Sequence, residues 1–217
     1  WLDSLASQTR FLSQNLEYHL LGNHLFANAK ALIFSGLYFQ GAEADEWYQT
    51  GIKILNKELP EQVLSDGGNF ELSPMYHAIF LEDLLDLINI HQAYDKNQPV
   101  NIVTKATQML KWLESMSHPD GEISFFNDST LGVAPTLGEL VNYARQFDIN
   151  YKVGNLSGLT YFQESGYIRL DKKDLVIIAD VAKIGPDYIP GHGHADVLSF
   201  EMSLFGERLI VNSGISP

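Results

Sequence analysis

The stretch GNLSGLTYFQESGYIRL (residues 154–170) decides the fold, because the hydrophobic period changes within it. Upstream, apolar residues recur at helical spacing in LASQTRFLSQNLEYHLL (5–21), HLFANAKALIFSGLYF (24–39) and EADEWYQTGIKILNKEL (43–59). The same spacing continues in MYHAIFLEDLLDLINIHQAY (75–94), VNIVTKATQMLKWLESM (100–116) and TLGELVNYARQF (136–147). Downstream, apolar and polar residues alternate in LTYFQESGYIRL, DLVIIADVA, VLSFEMSL and RLIVNSG, with turn signals such as LDKKD and FGER between them. A helical domain over residues 1–152 followed by the start of an antiparallel β domain over 153–217 is therefore expected. Four or five strands rarely complete a sandwich, and Trp1 already sits inside a helical pattern. Parts of the protein on both sides of this chain are expected to be missing.

Composition narrows the function. The 217 residues are 45% hydrophobic and 12% aromatic, enough for a sizeable core. The net charge of -13 argues against a general nucleic-acid binder, which needs basic surface. It speaks less clearly about other acidic polymers, because a local cleft can differ from the whole. Cysteine is absent, which removes disulfides and thiolate metal sites. No run of about twenty apolar residues is present, so no membrane span is expected.

The helical part carries a weak repeat. LSDGGNFELSP (64–74) and SHPDGEISFFNDS (117–129) share an Asp-Gly turn and a short extended stretch, and Asp66 and Asp120 lie 54 positions apart. Stacked helical hairpins with long loops at one end give such a period. So does a chance recurrence of a common turn. Asn23 and Tyr76 are separated by 53 positions, again one repeat. Taken singly, Asn23 reads as a helix N-cap, and Tyr76 and His77 as residues of a first helical turn.

In GHGHADVLSFEM (191–202), His192, His194 and Asp196 fall at alternate positions. In an extended chain these side chains share one side, which suggests either a site or a solvated strand face.

Four ordered pieces, GNHLFANAKAL (22–32), DGGNFELSPMYHAIFLEDLLDL (66–87), HPDGEISFFNDS (118–129) and GHGHADVLSFEMS followed by LIVNSG (191–214), resemble the heparinase II/III-like polysaccharide lyases over almost the whole chain. The resemblance implies an α+β multidomain fold: an incomplete (α/α) toroid carrying the cleft, then an antiparallel β-sandwich, truncated here, that lends histidines to it. It implies β-elimination on a uronate-containing acidic polysaccharide, and a periplasmic or secreted protein. By resemblance, Asn23 and His24 neutralise the uronate carboxyl, and Tyr76 and His192 serve as the acid and base, in an order that stays open. These four are expected to converge on one cleft. Phenol and imidazole chemistry suits those roles. Glu71, His77, His118 and Glu122 are candidate substrate-binding residues.

The resemblance further implies a structural zinc. His194 would be one ligand, Asn212 would stand at the acidic position, and a later histidine would lie beyond Pro217. Asparagine is a poorer ligand than aspartate. A simple hairpin around Gly206 pairs Asn212 with about Phe200, so Asp196 is a second candidate beside His194, or else it orients His192. Trp47 and Trp112 read as core, Glu82, Asp83 and Asp86 as a solvated helix face, and His19 and His91 as structural. Two other function classes remain: a non-catalytic carbohydrate-binding protein on the same fold, and an (α/α) glycoside hydrolase using two carboxylates.

Overall fold

The computed structural model describes residues 1–154, 156–189 and 191–213. Among them six helices precede five strands: α1 (Leu2–Gln14), α2 (Gly22–Tyr38), α3 (Ala42–Gln62), α4 (Pro74–Ala93), α5 (Ile102–Ser115) and α6 (Leu137–Arg145), then β1 (Gly158–Phe162), β2 (Tyr167–Lys172), β3 (Leu175–Asp180), β4 (Phe200–Leu204) and β5 (Glu207–Ile210). The helix-to-strand change thus falls between Arg145 and Gly158, as the periodicity implies. Compactness divides the chain elsewhere. One unit comprises residues 1–62 and 83–102, and a second comprises 63–82 and 103–217.

In the first unit α2 and α3 pack on each other through Leu25, Ala29 and Ile54, and through Leu32, Ala44 and Trp47. The helix expected over residues 5–21 ends early. Gln14 closes α1, and the chain turns through residues 18–20, leaving His19 exposed rather than structural. Asp83 and Asp86 do not form a solvated acidic face. Lys30 reaches both carboxylates, at 2.6 and 2.5 Å, in a part-buried cluster. His91 is buried, with Nδ1 donating to the Leu87 carbonyl at 2.6 Å.

In the second unit the strands form an antiparallel meander in the order β1-β2-β3-β4-β5. Alternation puts Tyr167, Val176 and Ile178 on a buried face, packed with Leu72, Trp112, Met116, Phe126 and Phe162. Ile168, Leu170, Ile177 and Met202 alternate to the other face, the pattern of a sheet built to be covered on both sides. Arg169 projects from the buried face and donates to the carbonyls of Ser115 and Ser117, at 2.9 and 2.6 Å. A guanidinium there satisfies the carbonyls left open at the end of α5 and complements its dipole.

The Asp-Gly repeat is structural. Isolated β-bridges join Val63 to Asn69 and Ser117 to Ile123, again 54 positions apart. Each aspartate accepts from the amide two residues on, Asp66 from Gly68 and Asp120 from Glu122, the local bond that favours Asp in turns. Gly67 and Gly121 hold matching left-handed conformations, φ +93° and +90°. Their surroundings differ. A Cβ on Gly67 would lie 2.4 Å from the Gln108 carbonyl oxygen, whereas one on Gly121 meets nothing within 4 Å. Denaturant unfolding should therefore show Gly121→Ala costing about 1 kcal/mol, the strain alone. Gly67→Ala should cost clearly more, because backbone must also move. Equal losses would contradict this reading of the repeat.

Candidate active site

The site in the second unit begins at the start of α4. Pro74 occupies the first helical position, where its missing N–H costs nothing and its φ is preset. Ser73 precedes it: its carbonyl accepts from the His77 amide at 2.8 Å, and its Oγ from the Tyr76 amide at 3.5 Å. Tyr76 is thereby fixed in the first turn. Its ring lies against the His192 imidazole, with centroids 4.0 Å apart and planes tilted by 44°.

His192 lies between two carboxylates. Its Nδ1 donates to Asp128 Oδ2 at 2.5 Å, since an ionised carboxylate can only accept. Its Nε2 stands 3.3 Å from Glu71 Oε2. The Glu71 side chain is 1% exposed and that of Asp128 20%. Burial pulls the imidazole pKa down, but the Asp128 hydrogen bond and the charges of Glu71 and Asp128 outweigh it and raise the value. Burial, then Asp128 and Glu71, push the Tyr76 phenol upward. The result is a neutral phenol packed on a basic imidazole.

The segment carrying His192 is not a strand. Residues 191–198 run through turns, Leu198 has φ 67°, and β4 starts only at Phe200. Alternation therefore does not aim His192, His194 and Asp196 to one side, and the strand-face reading is corrected. Asp196 does not orient His192 either. Its Oδ2 accepts from the Asn127 amide at 2.6 Å and from Asn212 Nδ2 at 3.2 Å.

Asn127 and Asp128 are the residues that sequence reasoning missed. A signal existed: Phe-Glu-Leu-Ser (70–73) and Phe-Asn-Asp-Ser (126–129) both follow an Asp-Gly turn, 56 positions apart. Their serines meet, Ser73 Oγ to Ser129 Oγ at 3.3 Å, which brings Glu71 and Asp128 into one site.

The candidate substrate-binding residues divide. Glu71 sits at His192. His77 is fully buried and stacked on Trp112 at 4.3 Å, so no sugar touches it. Its Nδ1 accepts from the Asn69 amide at 3.1 Å and its Nε2 donates to the Met109 carbonyl at 3.0 Å. His118 is also corrected to a buried structural role, with Nε2 at 2.8 Å from Glu201 and Nδ1 at 2.7 Å from Ser203. Glu122 lines a cavity of about 610 Å³ with Thr136, Glu139 and Tyr143, whose lining includes none of Tyr76, His192, Glu71 and Asp128.

Asn23 and His24 belong to the first unit. Leu21, at φ 60°, is the N-cap of α2, so Asn23 is not the cap but stands within the first turn, part-buried. His24 is exposed, its Nδ1 3.8 Å from Glu17 Oε2.

The zinc set fits poorly. Among the described residues no group of three or more His, Asp and Glu side chains is arranged to hold a metal. Asn212 does approach Asp196, because the 191–199 segment folds back, but it offers Asp196 its amide nitrogen, a donor and not a ligand. Asp196 Oδ1 is buried without a hydrogen-bond partner. No step below is routed through a metal.

This fold is that of a family of polysaccharide lyases. The Heparinase II/III N-terminus profile matches residues 1–152 and the Heparinase II/III-like C-terminal profile matches 155–217. The chain belongs to the heparinase II/III family. It is 28% identical over 218 residues to a heparin-sulfate lyase of Bacteroides stercoris, matching 91% of this chain and 32% of the relative. It is 31% identical over 157 residues to a heparin-sulfate lyase of Pedobacter heparinus, matching 70% and 24%. The chain thus spans about a third or less of these curated relatives. A crystal structure of heparan sulfate lyase from Pedobacter heparinus superposes with TM-score 0.76 at 26% identity, over 99% of this chain and 36% of that one. One of heparinase III gives TM-score 0.80 at 23% identity, over 99% and 38%, and shows the fold alone. No helix is long and apolar enough to cross a membrane, among the described residues.

Acid should reveal the buried histidine. Burial pushes His77 down to about 3, against an ordinary 6.5, so the fold favours the neutral ring. Its contribution to stability is intact above pH 6.5 and is lost as pH falls from there toward 3. Between pH 6.5 and 5 the loss should be about 2 kcal/mol. Unfolding followed by tryptophan fluorescence should show that pH slope, and His77→Gln should flatten it. An unchanged slope in the variant would contradict the assignment.

Proposed function

We propose that the protein is a polysaccharide lyase that cleaves a uronate-containing glycosaminoglycan of the heparan sulfate kind by β-elimination. The observation that carries this reading is the Tyr76 ring packed at 4.0 Å on an imidazole held between Glu71 and Asp128. The names of the relatives favour the substrate. On this reading the protein works in the periplasm or outside the cell, where a long acidic polymer is met.

In β-elimination a base removes the proton from C5 of the uronate. The electron pair forms the C4–C5 double bond as the C4–O bond breaks, and the leaving oxygen takes a proton. The raised phenol pKa keeps Tyr76 protonated, and it gives its proton to that oxygen. His192 receives the C5 proton at Nε2, and the two carboxylates stabilise the imidazolium that forms. Negative charge developing on the uronate carboxyl needs hydrogen-bond donors. By resemblance, Asn23 and His24 supply them.

The assay is ultraviolet absorbance of the new double bond conjugated with the carboxyl group, on a panel of uronate polymers. Tyr76→Phe should lower turnover by roughly 10²–10⁴-fold with KM largely kept. Asn23→Ala should lower it by about 10²–10³-fold. The rate should climb with pH through the raised His192 pKa, above 6.5, because the base must be neutral to act. Reducing ends released without absorbance would indicate hydrolysis, for which Glu71 and Asp128 are the available carboxylates. Neither signal on any polymer would leave a binding protein.

A further inference from the structure

We propose that Asp128 is a positioning residue. It holds the proton on Nδ1 of His192 and fixes the ring against Tyr76, so that Nε2, 3.3 Å from Glu71 Oε2, is the nitrogen that gains and loses a proton.

The argument is geometric. Asp128 Oδ2 receives Nδ1–H at 2.5 Å, and a histidine tautomer is set by the bond its other nitrogen makes. The backbone that carries Asp128 is held, because both its neighbours are fastened. Asn127 gives its backbone amide to Asp196 at 2.6 Å. Its Nδ2 donates to the Leu72 carbonyl and the Tyr167 hydroxyl at 2.9 and 3.2 Å, and its Oδ1 accepts from the His194 amide at 3.3 Å. On the other side, Ser129 Oγ accepts from the Met75 amide at 3.1 Å. The turn itself is strained, with Asn127 at φ 57°.

Two features separate this from ordinary packing. Asp128 Oδ1 is buried without a hydrogen-bond partner, a cost that a purely structural carboxylate would avoid. The Asn127 bond to the His194 amide and the Asp128 bond to His192 also tie one turn to both ends of the three residues 192–194. The turn carrying Asp128 therefore sets where the imidazole stands.

The kinetic consequence rests on the lyase reading; the tautomer does not. In the full-length protein Asp128→Ala should lower kcat by on the order of 10²-fold with KM changed less than about threefold. Asp128→Asn should recover part of that loss, since its carbonyl can still accept Nδ1–H without the charge. Nitrogen-15 spectra of histidine-labelled protein should show His192 protonated at Nδ1 in the wild type, and a mixture of tautomers in Asp128→Ala. If Asp128→Ala does not fold, the wild-type and Asp128→Asn spectra still decide. A wild-type His192 found chiefly as the Nε2–H tautomer would overturn the proposal. So would an Asp128→Ala enzyme with full kcat, or one altered in KM alone. A wild type that makes no unsaturated product would sink the lyase reading while leaving the spectroscopic test in force.

Discussion

The side chain of Asn127 is the constraint on which the candidate site depends. One amide bonds the Leu72 carbonyl, the Tyr167 hydroxyl and the His194 amide, and so joins the segment before α4, the buried face of the sheet and the turn that carries His192. Asparagine tolerates the left-handed backbone needed there, where a branched residue would be strained. Tyr167 completes the knot by donating to the same Leu72 carbonyl at 2.8 Å. Asn127, Leu72 and Tyr167 are buried, so each bond left unmade among them would carry a desolvation cost. The reward is placement: Glu71 lies beside Leu72, Asp128 beside Asn127, and His192 two residues from His194.

That placement produces an electrostatic arrangement unlike an ordinary ion pair. Two carboxylates face one imidazole from opposite nitrogens, and a phenol covers the ring. The carboxylates disfavour the phenolate and make the imidazole a stronger base, so the phenol starts with its proton and the ring, when neutral, can take one. Such a pair can pass protons in opposite directions, as the proposed elimination across C4 and C5 would demand. It cannot by itself welcome a uronate, because the protein is acidic overall and Glu71 and Asp128 add local negative charge. On the proposed reaction, donors for a substrate carboxyl come from other residues, and Asn23 and His24 are the ones the family resemblance offers.

Much of the fold was legible because it rests on local chemistry. The period change near Gly154 separated helices from strands, and Asp-Gly at 66 and 120 marked two turns that share one hydrogen-bond pattern. Tyr76 could be placed in a first helical turn from Ser-Pro alone. The site was legible only in pieces. His192 bonds a residue 64 positions upstream, and nothing in the spacing of GHGHAD announces that. The alternation of that motif invited a strand, but Leu198 at φ 67° and the turns before it break the extended chain. His77 and His118 were read as sugar contacts because histidine in a loop or first turn suggests function. Their buried partners, the Met109 carbonyl and Glu201, lie 32 and 83 positions away. Asn127 and Asp128 carry only a faint mark in the sequence, the recurrence of Phe-x-x-Ser after an Asp-Gly turn at 70 and 126, and their tertiary contacts set the pair apart.

The central claim is that Tyr76 and His192 form the reacting centre. A crystal structure of the full-length protein with its unsaturated oligosaccharide product bound tests it most directly. The account predicts the C4–C5 edge of the product within roughly 3–3.5 Å of the Tyr76 hydroxyl or His192 Nε2. A product seated away from both rings, or with its glycosidic bond flanked by Glu71 and Asp128 instead, would contradict it.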